Sequence, residues 1–172
     1  MNAQYKRLII ALAVLLGIAG IFILYLSWPL LTGTSVILKT QPVDPFDVFR
    51  GQYITIGYDI SNIQNIEGAK ENDQVYISLK EGPDKIWNAD GISLKKPETG
   101  IFIRGALRQS WRGLRPEFGI EQYFFERDGH VETRNMRVEA KIDASGQARI
   151  IKLLNENLQP LNISYKKQSL TS

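Results

Sequence analysis

The sequence contains no cysteine and a single histidine, His130. No disulfide can therefore form, and a transition-metal site would have to rest on carboxylates. We predict no metal site and no cofactor. The lack of cysteine is compatible with an exported domain and equally with a cytosolic one, so it does not assign a compartment.

Neither sign of charge is in large excess. The chain has 21 basic and 18 acidic residues, and two of the basic ones, Lys6 and Arg7, precede an apolar segment. The remainder holds 19 basic and 18 acidic residues, a net charge of +1. Such a balance lacks the basic surplus of nucleic-acid-binding domains, and we predict no nucleic-acid partner.

One long apolar run stands near the N-terminus. Residues 8–26 read LIIALAVLLGIAGIFILYL without a charge, and Ser27 and Trp28 extend the run. At about 1.5 Å per residue, 21 helical residues span roughly 31 Å, the thickness of a bilayer's hydrocarbon core. The sequence predicts a transmembrane helix at 8–28 that Pro29 ends. A cleaved signal peptide is the main alternative, but bulky residues follow this run where a cleavage site needs small ones, so we favour a retained anchor.

The flanking charges predict how the helix is oriented. Lys6 and Arg7 precede the apolar run, and Lys39 is the first positive residue after it. Because positive flanks stay in the cytoplasm, we expect a cytoplasmic N-terminus at 1–7 and an exported chain beyond the helix, periplasmic in a Gram-negative cell. We divide that exported part into a linker at 29–34, a β domain at 35–160 and a flexible tail at 161–172.

Beyond residue 35, apolar and polar residues alternate with a period of two. In YITIGYDI at 53–60, for example, Ile54, Ile56 and Tyr58 share one face. The sequence DASG at 143–146 predicts a hairpin turn, and short helical turns are predicted at 45–49 and 131–136. The predicted strands are 36–40, 53–60, 74–80, 85–94, 101–108, 118–125, 137–143 and 148–154. The predicted fold class is mainly β: one N-terminal transmembrane helix followed by a β-sandwich or an open β-barrel.

Two stretches of the sequence resemble a known family. Residues 42–61 read PVDPFDVFRGQYITIGYDIS, and residues 118–124 read FGIEQYF. The first resembles the signature of the bacterial GDYXXLXY family, here GQYITIGY at 51–58, and the second is similar to a G-I-E-x-Y-F segment found later in that family. Gln52 stands where the signature has Asp, so no carboxylate is available there. The family has no assigned activity, and its members are often encoded beside multi-pass membrane proteins, so the resemblance implies partnership with such a protein.

The turn before the signature strand offers the first candidate binding residues. Asp44, Asp47 and Arg50 form either a polar site beside Tyr53 or, as we favour, the cap and brace of the turn. The complete set of candidate binding residues is Asp44, Asp47, Arg50, Gln52, Tyr53, Arg104, Glu121 and Tyr123.

Period-two geometry also predicts an aromatic layer. It places aromatic side chains on strand faces away from the core, with Arg104 and Glu121 at their edge. These rings form either an exposed binding surface or, as we favour, a second core layer. The rings are those of Tyr53, Tyr76, Phe102 and Tyr123.

These patterns favour a non-enzymatic accessory protein, anchored in the membrane, whose exported domain binds a larger membrane protein. No catalytic residues are predicted. One alternative is a membrane-tethered serine hydrolase with the layout of a signal peptidase, in which Ser27 is the nucleophile and Lys80, Lys95 or Lys96 the base. Another is a module that binds lipid or cell-wall glycan through the aromatic layer.

Overall fold

The computed structural model describes residues 3–41, 53–62, 66, 68–110, 113–124, 129–130, 135–161 and 164–165. The candidate residues Asp44, Asp47, Arg50 and Gln52 lie outside these ranges, as do the helical turn predicted at 45–49 and most of the turn predicted at 131–136. Within the tail predicted at 161–172, Ser164–Tyr165 forms a short strand.

The chain begins with one helix, α1 (Ala3–Thr32). Its segment Gln4–Ser27 is long and apolar enough to cross a membrane, and none of that segment is buried against the rest of the chain. Its apolar side chains are exposed on every side of the helix, so α1 has no single face suited to a soluble core. This geometry suits a helix surrounded by lipid.

The prediction that the helix ends at Pro29 is wrong, because α1 continues to Thr32. Pro29 has no backbone N–H, so the Tyr25 carbonyl four residues earlier loses its helical hydrogen-bond donor. Apolar helices of the membrane type tolerate such a loss, and the leucines that follow are strong helix formers. A single residue, Gly33, then separates α1 from the first strand.

Twelve strands are present among the described residues, and they confirm most of the predicted ones. The strand predicted at 53–60 is shorter and ends in a 3-10 turn at Asp59–Ser61, and the one predicted at 118–125 is confined to three residues. The strand Gly113–Glu117 was not predicted. The strands are β1 (Thr34–Gln41), β2 (Tyr53–Thr55), β3 (Gly57–Tyr58), β4 (Gln74–Glu81), β5 (Trp87–Ser93), β6 (Ile101–Ser110), β7 (Gly113–Glu117), β8 (Gln122–Phe124), β9 (Gly129–His130), β10 (Arg137–Ile142), β11 (Ala148–Leu154) and β12 (Ser164–Tyr165).

The main sheet has the strand order β11-β10-β1-β5-β4-β6-β7, and β3 pairs with β1 beside this path. The β1–β5 pair is parallel, and the other pairs are antiparallel. The sheet curls into a half-barrel, so of the two predicted architectures the open barrel is the one observed. Two small sheets, β2–β8 and β9–β12, accompany it.

The core is built from the alternating apolar residues that the sequence predicts. Ile54, Ile56 and Tyr58 are buried, and in β4 the residues Val75 and Ile77 are fully buried while their neighbours are not. All of these residues except Val75 pack in one cluster with residues of β1, β6 and β10. The signature strand therefore contributes directly to the core of the half-barrel.

The predicted hairpin turn joins β10 to β11, and Asp143 organises it. Its Oδ1 accepts hydrogen bonds from the Ser145 N–H (2.8 Å), the Ser145 hydroxyl (2.6 Å) and the Gln147 N–H (3.0 Å). Burial opposes the charge of this carboxyl, but the Ser145 and Gln147 donors and the charge of Arg104 outweigh it and lower the pKa of Asp143 below its usual 3.8.

We expect this turn to make the domain sensitive to acid. Because the pKa of Asp143 is lower in the folded state, its contribution to stability is complete at neutral pH and is lost as the pH falls through that lowered pKa. Asp143→Asn should cost about 1–2 kcal/mol at neutral pH and should weaken the acid sensitivity. Urea unfolding of the full-length protein in detergent, at pH 7 and at acidic pH, measures both effects. Asp90→Asn, on an exposed part of β5, is the control; equal acid sensitivity in both variants would contradict the assignment.

Candidate functional site

The two stretches that resemble family motifs contact each other directly. The Ile56 N–H donates a hydrogen bond to the Glu121 carbonyl (2.7 Å), and the Tyr58 hydroxyl donates one to the Ile120 carbonyl (2.6 Å). Strands β2 and β8 pair antiparallel, with Ile54 opposite Tyr123. The two stretches therefore form one structural unit, which we call the motif unit (residues 53–58 and 118–124).

Tyr58 is the buried centre of the motif unit. Its side chain is fully buried, and its ring packs edge-on against Phe118 with ring centroids 6.4 Å apart. Burial, and secondarily the charge of Glu121, raises the pKa of the Tyr58 phenol far above its usual value. The hydroxyl therefore stays protonated and acts as a donor to the Ile120 carbonyl, which gives Tyr58 a structural role.

Glu121 closes a tight turn at the start of β8. Its carboxylate accepts hydrogen bonds from the Phe118 N–H (2.5 Å) and the Gly119 N–H (2.8 Å). Gly119 has a φ of 79°, a backbone conformation that favours glycine. The G-I-E sequence thus builds the turn: glycine adopts the angle, isoleucine enters the core, and the glutamate binds the free amides.

The register of β2 and β8 corrects the predicted aromatic layer. Tyr123 lies opposite Ile54 and packs partly buried against the core, whereas Phe124 lies opposite Tyr53. The prediction that Tyr123 shares the outward face is therefore wrong, because the alternation that buries Phe118 and Ile120 changes phase between Ile120 and Tyr123, at the turn that Glu121 closes. The outward pair is Tyr53–Phe124, with ring centroids 5.7 Å apart, and Phe124 is 69% exposed.

The other two predicted rings lie in the main sheet, away from β2 and β8. Tyr76 packs edge-on against Phe102, with ring centroids 5.7 Å apart. Phe102 is buried, since the β10–β11 turn approaches it: a Cβ on Gly146 would lie 2.7 Å from its ring. The predicted layer is thus divided between two sheets, and its Phe102 part is covered.

A groove of about 450 Å³ opens beside the motif unit. Its lining carries both signs of charge, and Glu121 connects it to the motif unit. Arg108 forms a hydrogen bond with Asn72 and an ion pair with Glu117 (3.7 Å). The Arg104 guanidinium forms no ion pair with any residue in the described ranges. The lining residues are Asn72, Gln74, Arg104, Gly105, Ala106, Arg108, Glu117, Phe118, Gly119 and Glu121.

The structure thus brings together part of the predicted site. Arg104 and Glu121 line the same groove, and Glu121 is three residues from Phe124 on the same segment. Sequence reasoning missed Phe124, Asn72, Gln74 and Glu117. The G-I-E sequence signals a turn just before Phe124, but the approach of β4, β6 and β7 has no local signal.

Ser27 and Lys80, two of the residues proposed for a serine hydrolase, lie on separate elements. Ser27 lies within α1, and among the described residues none forms a hydrogen bond with its hydroxyl. Helix α1 contacts β10, whereas Lys80, one of the three proposed bases, lies on β4. Strands β1 and β5 separate β4 from β10 in the sheet. Over the described ranges, no group of three or more His, Cys, Asp or Glu side chains is placed to hold a metal ion.

The lipid-compatible helix α1, the half-barrel that follows it and the motif unit beside a charged groove define a β-domain protein with an N-terminal candidate membrane helix. A comparison with known families then assigns the chain to one of them. The model of the family described as GDYXXLXY protein matches residues 15–153, and the chain belongs to this family. No curated protein and no solved structure matches the chain.

Proposed function

We propose that this protein is a membrane-anchored accessory protein whose β domain binds a larger membrane protein through the Tyr53–Phe124 pair and the adjacent groove. The observation that carries the proposal is the exposure of Phe124, which is 69% accessible, whereas the other large apolar side chains of the motif unit are buried or partly buried. Large exposed aromatic side chains are typical of binding surfaces.

The groove supplies the polar part of this surface. Arg104 lacks an ion-pair partner among the described residues, and Glu121 presents its carboxylate from the turn beneath. An aromatic anchor with charged groups beside it matches the composition of protein–protein interfaces, where apolar centres are surrounded by polar rims. Cations and carboxylates in one open groove suit a protein segment of mixed charge better than an apolar small molecule.

The N-terminal helix restricts the class of partner. If α1 is retained, it holds the domain at the membrane, and Lys6 and Arg7 favour a cytoplasmic N-terminus with the domain outside. A partner must then lie close to the same face of the membrane, which favours a membrane protein. The family context described above, with multi-pass proteins encoded nearby, supports the same assignment.

We expect Phe124→Ser to lose the partner while the domain stays folded. Truncating an aromatic anchor at an interface weakens binding by about thirtyfold or more. Affinity purification of the tagged full-length protein in mild detergent, with mass spectrometry, should recover a stoichiometric membrane protein with the wild type and with Leu94→Ser, but not with Phe124→Ser. Leu94 is the control because it is also exposed, at 38%.

Arg104→Glu tests the groove in the same experiment and should reduce recovery of the same partner. A protein that purifies alone, or a partner that all three variants retain, would contradict the proposal.

A further inference from the structure

Strand β6 places two arginines in the groove, and they differ in how their charge is compensated. Arg104 and Arg108 both line the groove and lie four residues apart on the outward face of β6. At about 3.3 Å per residue, their Cα atoms are roughly 13 Å apart. Ala106, which has a small side chain, lies between them in the same lining. The two arginines therefore mark two ends of one open groove.

The Arg108 end of the groove is balanced within the chain. The Arg108 side chain forms an ion pair with Glu117 (3.7 Å) and a hydrogen bond with the Asn72 side chain. The Arg108 and Glu117 side chains are both about half exposed to solvent. This end therefore has little need of a further counter-charge.

The Arg104 end is not balanced in this way. Arg104 is partly buried, and no carboxylate in the described ranges lies within ion-pair distance of its guanidinium. Register places Tyr76, which has a neutral side chain, opposite it on β4. On the other side of β6, the pairing with β7 ends where Ala106 lies opposite Glu117, two residues short of Arg104. Within the described strands, no residue of β7 is therefore paired with Arg104.

Two acidic residues near Arg104 are held by other donors. Glu121 lines the same groove, but its two carboxylate oxygens accept hydrogen bonds from the Phe118 and Gly119 amides. Asp143 lies close enough to feel the charge of Arg104, but its Oδ1 accepts three hydrogen bonds within its own turn. Each of these carboxylates thus stabilises a turn, and neither forms an ion pair with Arg104.

The backbone of Arg104 is fixed even though its charge is open. Its N–H donates a hydrogen bond to the Gly146 carbonyl (2.8 Å), and its Cβ would lie 3.0 Å from a Cβ added at Gly146. Strand β6 and the β10–β11 turn therefore hold the base of this side chain in place. A guanidinium that is positioned in advance loses less entropy when it binds an anion.

We infer that Arg104 binds a single carboxylate of the partner protein, carried by an aspartate or glutamate side chain. This inference deepens the proposed function and rests on it. The planar guanidinium can donate two parallel N–H bonds to one carboxylate. Partial burial strengthens such a pair, because the surroundings screen it less than bulk water does.

The rest of the lining favours one carboxylate over a more highly charged anion. Glu117 and Glu121 add negative charge to the same groove. They repel a divalent anion such as phosphate more strongly than they repel a single carboxylate. The groove thus suits an acidic side chain on a protein segment better than it suits phosphate.

Zero-length cross-linking with a water-soluble carbodiimide tests this inference. The reagent joins a carboxylate to an amine only when the two are in contact, and arginine does not react with it. Arg104→Lys puts a reactive amine at the site and keeps the charge, and the full-length variant is treated in native membranes. We expect a cross-link from position 104 to an Asp or Glu side chain of the same membrane protein that co-purifies with the wild type. Mass spectrometry of the linked peptides identifies both ends.

Two variants control the reaction. Arg108→Lys should give a cross-link within the chain, to its ion-pair partner Glu117, which shows that the reagent enters the groove. Leu94→Lys puts an amine at an exposed position outside the groove lining, and we expect no cross-link from position 94 to the partner.

A binding measurement complements the cross-link. Arg104→Gln should weaken binding of the partner about tenfold, because it leaves the partner's carboxylate without its cation. Lys80→Gln removes the same charge at an exposed position on β4, outside the groove lining, and should leave binding unchanged.

Three outcomes would overturn the inference while the wild type still recovers its partner, so that the proposed function stands. With the Arg108→Lys control working, position 104 could form no cross-link to the partner, or it could link only to a carboxylate of its own chain. Alternatively, Arg104→Gln could bind the partner as tightly as the wild type does. If the wild type recovers no partner, the proposed function fails and this inference fails with it.

Discussion

Gly146→Ala is expected to lower the free energy of unfolding by about 2–4 kcal/mol. Two costs combine at this position. Gly146 has a φ of 83°, in the left-handed region where a Cβ is strained. A Cβ there would also lie 2.7 Å from the Phe102 ring and 3.0 Å from the Arg104 Cβ, closer than atoms pack in a folded protein.

Two other glycines separate these costs. Gly119 has a φ of 79°, but a Cβ added there would meet no atom within 4 Å, so Gly119→Ala should show the backbone strain alone, about 1 kcal/mol. Gly91 has open space around it and no such φ, so Gly91→Ala should leave stability within about 0.5 kcal/mol of wild type. Urea unfolding of the full-length protein in detergent, followed by tryptophan fluorescence, measures the series. Equal effects at Gly146 and Gly119 would show that the turn does not press on Phe102.

Gly146→Ala should also change a measurable feature of the structure. The Gly146 carbonyl accepts a hydrogen bond from the Arg104 N–H at 2.8 Å, which joins the β10–β11 turn to β6. A displaced turn should therefore release this amide. Hydrogen exchange at Arg104 should become faster in Gly146→Ala than in Gly119→Ala.

Tyr58→Phe is expected to cost about 1–3 kcal/mol, although it removes a single oxygen atom. Tyr58 is fully buried, and its hydroxyl donates to the Ile120 carbonyl at 2.6 Å. Phenylalanine keeps the packing against Phe118 but leaves that carbonyl without its donor in a dry environment. The loss should therefore come from the hydrogen bond rather than from a cavity.

Tyr76→Phe is the matched control for this prediction. It removes the same atom from a hydroxyl that bonds the Gln74 side chain in a solvent-exposed contact at 2.8 Å, and it should change stability by less than about 0.5 kcal/mol. Hydrogen exchange should also become faster at Ile56, whose N–H bonds the same turn, in Tyr58→Phe but not in Tyr76→Phe. Equal behaviour of the two variants would contradict the central role of Tyr58 in the motif unit.

The fold class and most strands could be predicted from the sequence because one face of each strand is buried. In β4 and β10, buried and less buried residues alternate along the strand, and that alternation is directly visible as alternating apolar residues. Strand β7 (GLRPE) was missed because it contains proline and no alternation. Its pairing with β6 determines its conformation, and such a partner cannot be recognised from five residues.

The candidate site was less predictable, because it depends on register and on contacts between distant segments. Treating 118–125 as one continuous strand placed Tyr123 outward, but the turn closed by Glu121 reverses the alternation and exposes Phe124 instead. The groove joins Asn72, Arg104 and Glu117 through the pairing of β4, β6 and β7. No periodicity within a single segment contains that information.

The single residue between α1 and β1 limits the reach of this protein. A chain of one residue, Gly33, adds at most about 3.6 Å of length, so the domain has no tether on which to extend. A compact domain of about 140 residues has a radius of gyration of about 14 Å. Anchored by α1, it could touch only structures that project a few nanometres from the bilayer, and targets deeper in a cell envelope would have to approach it.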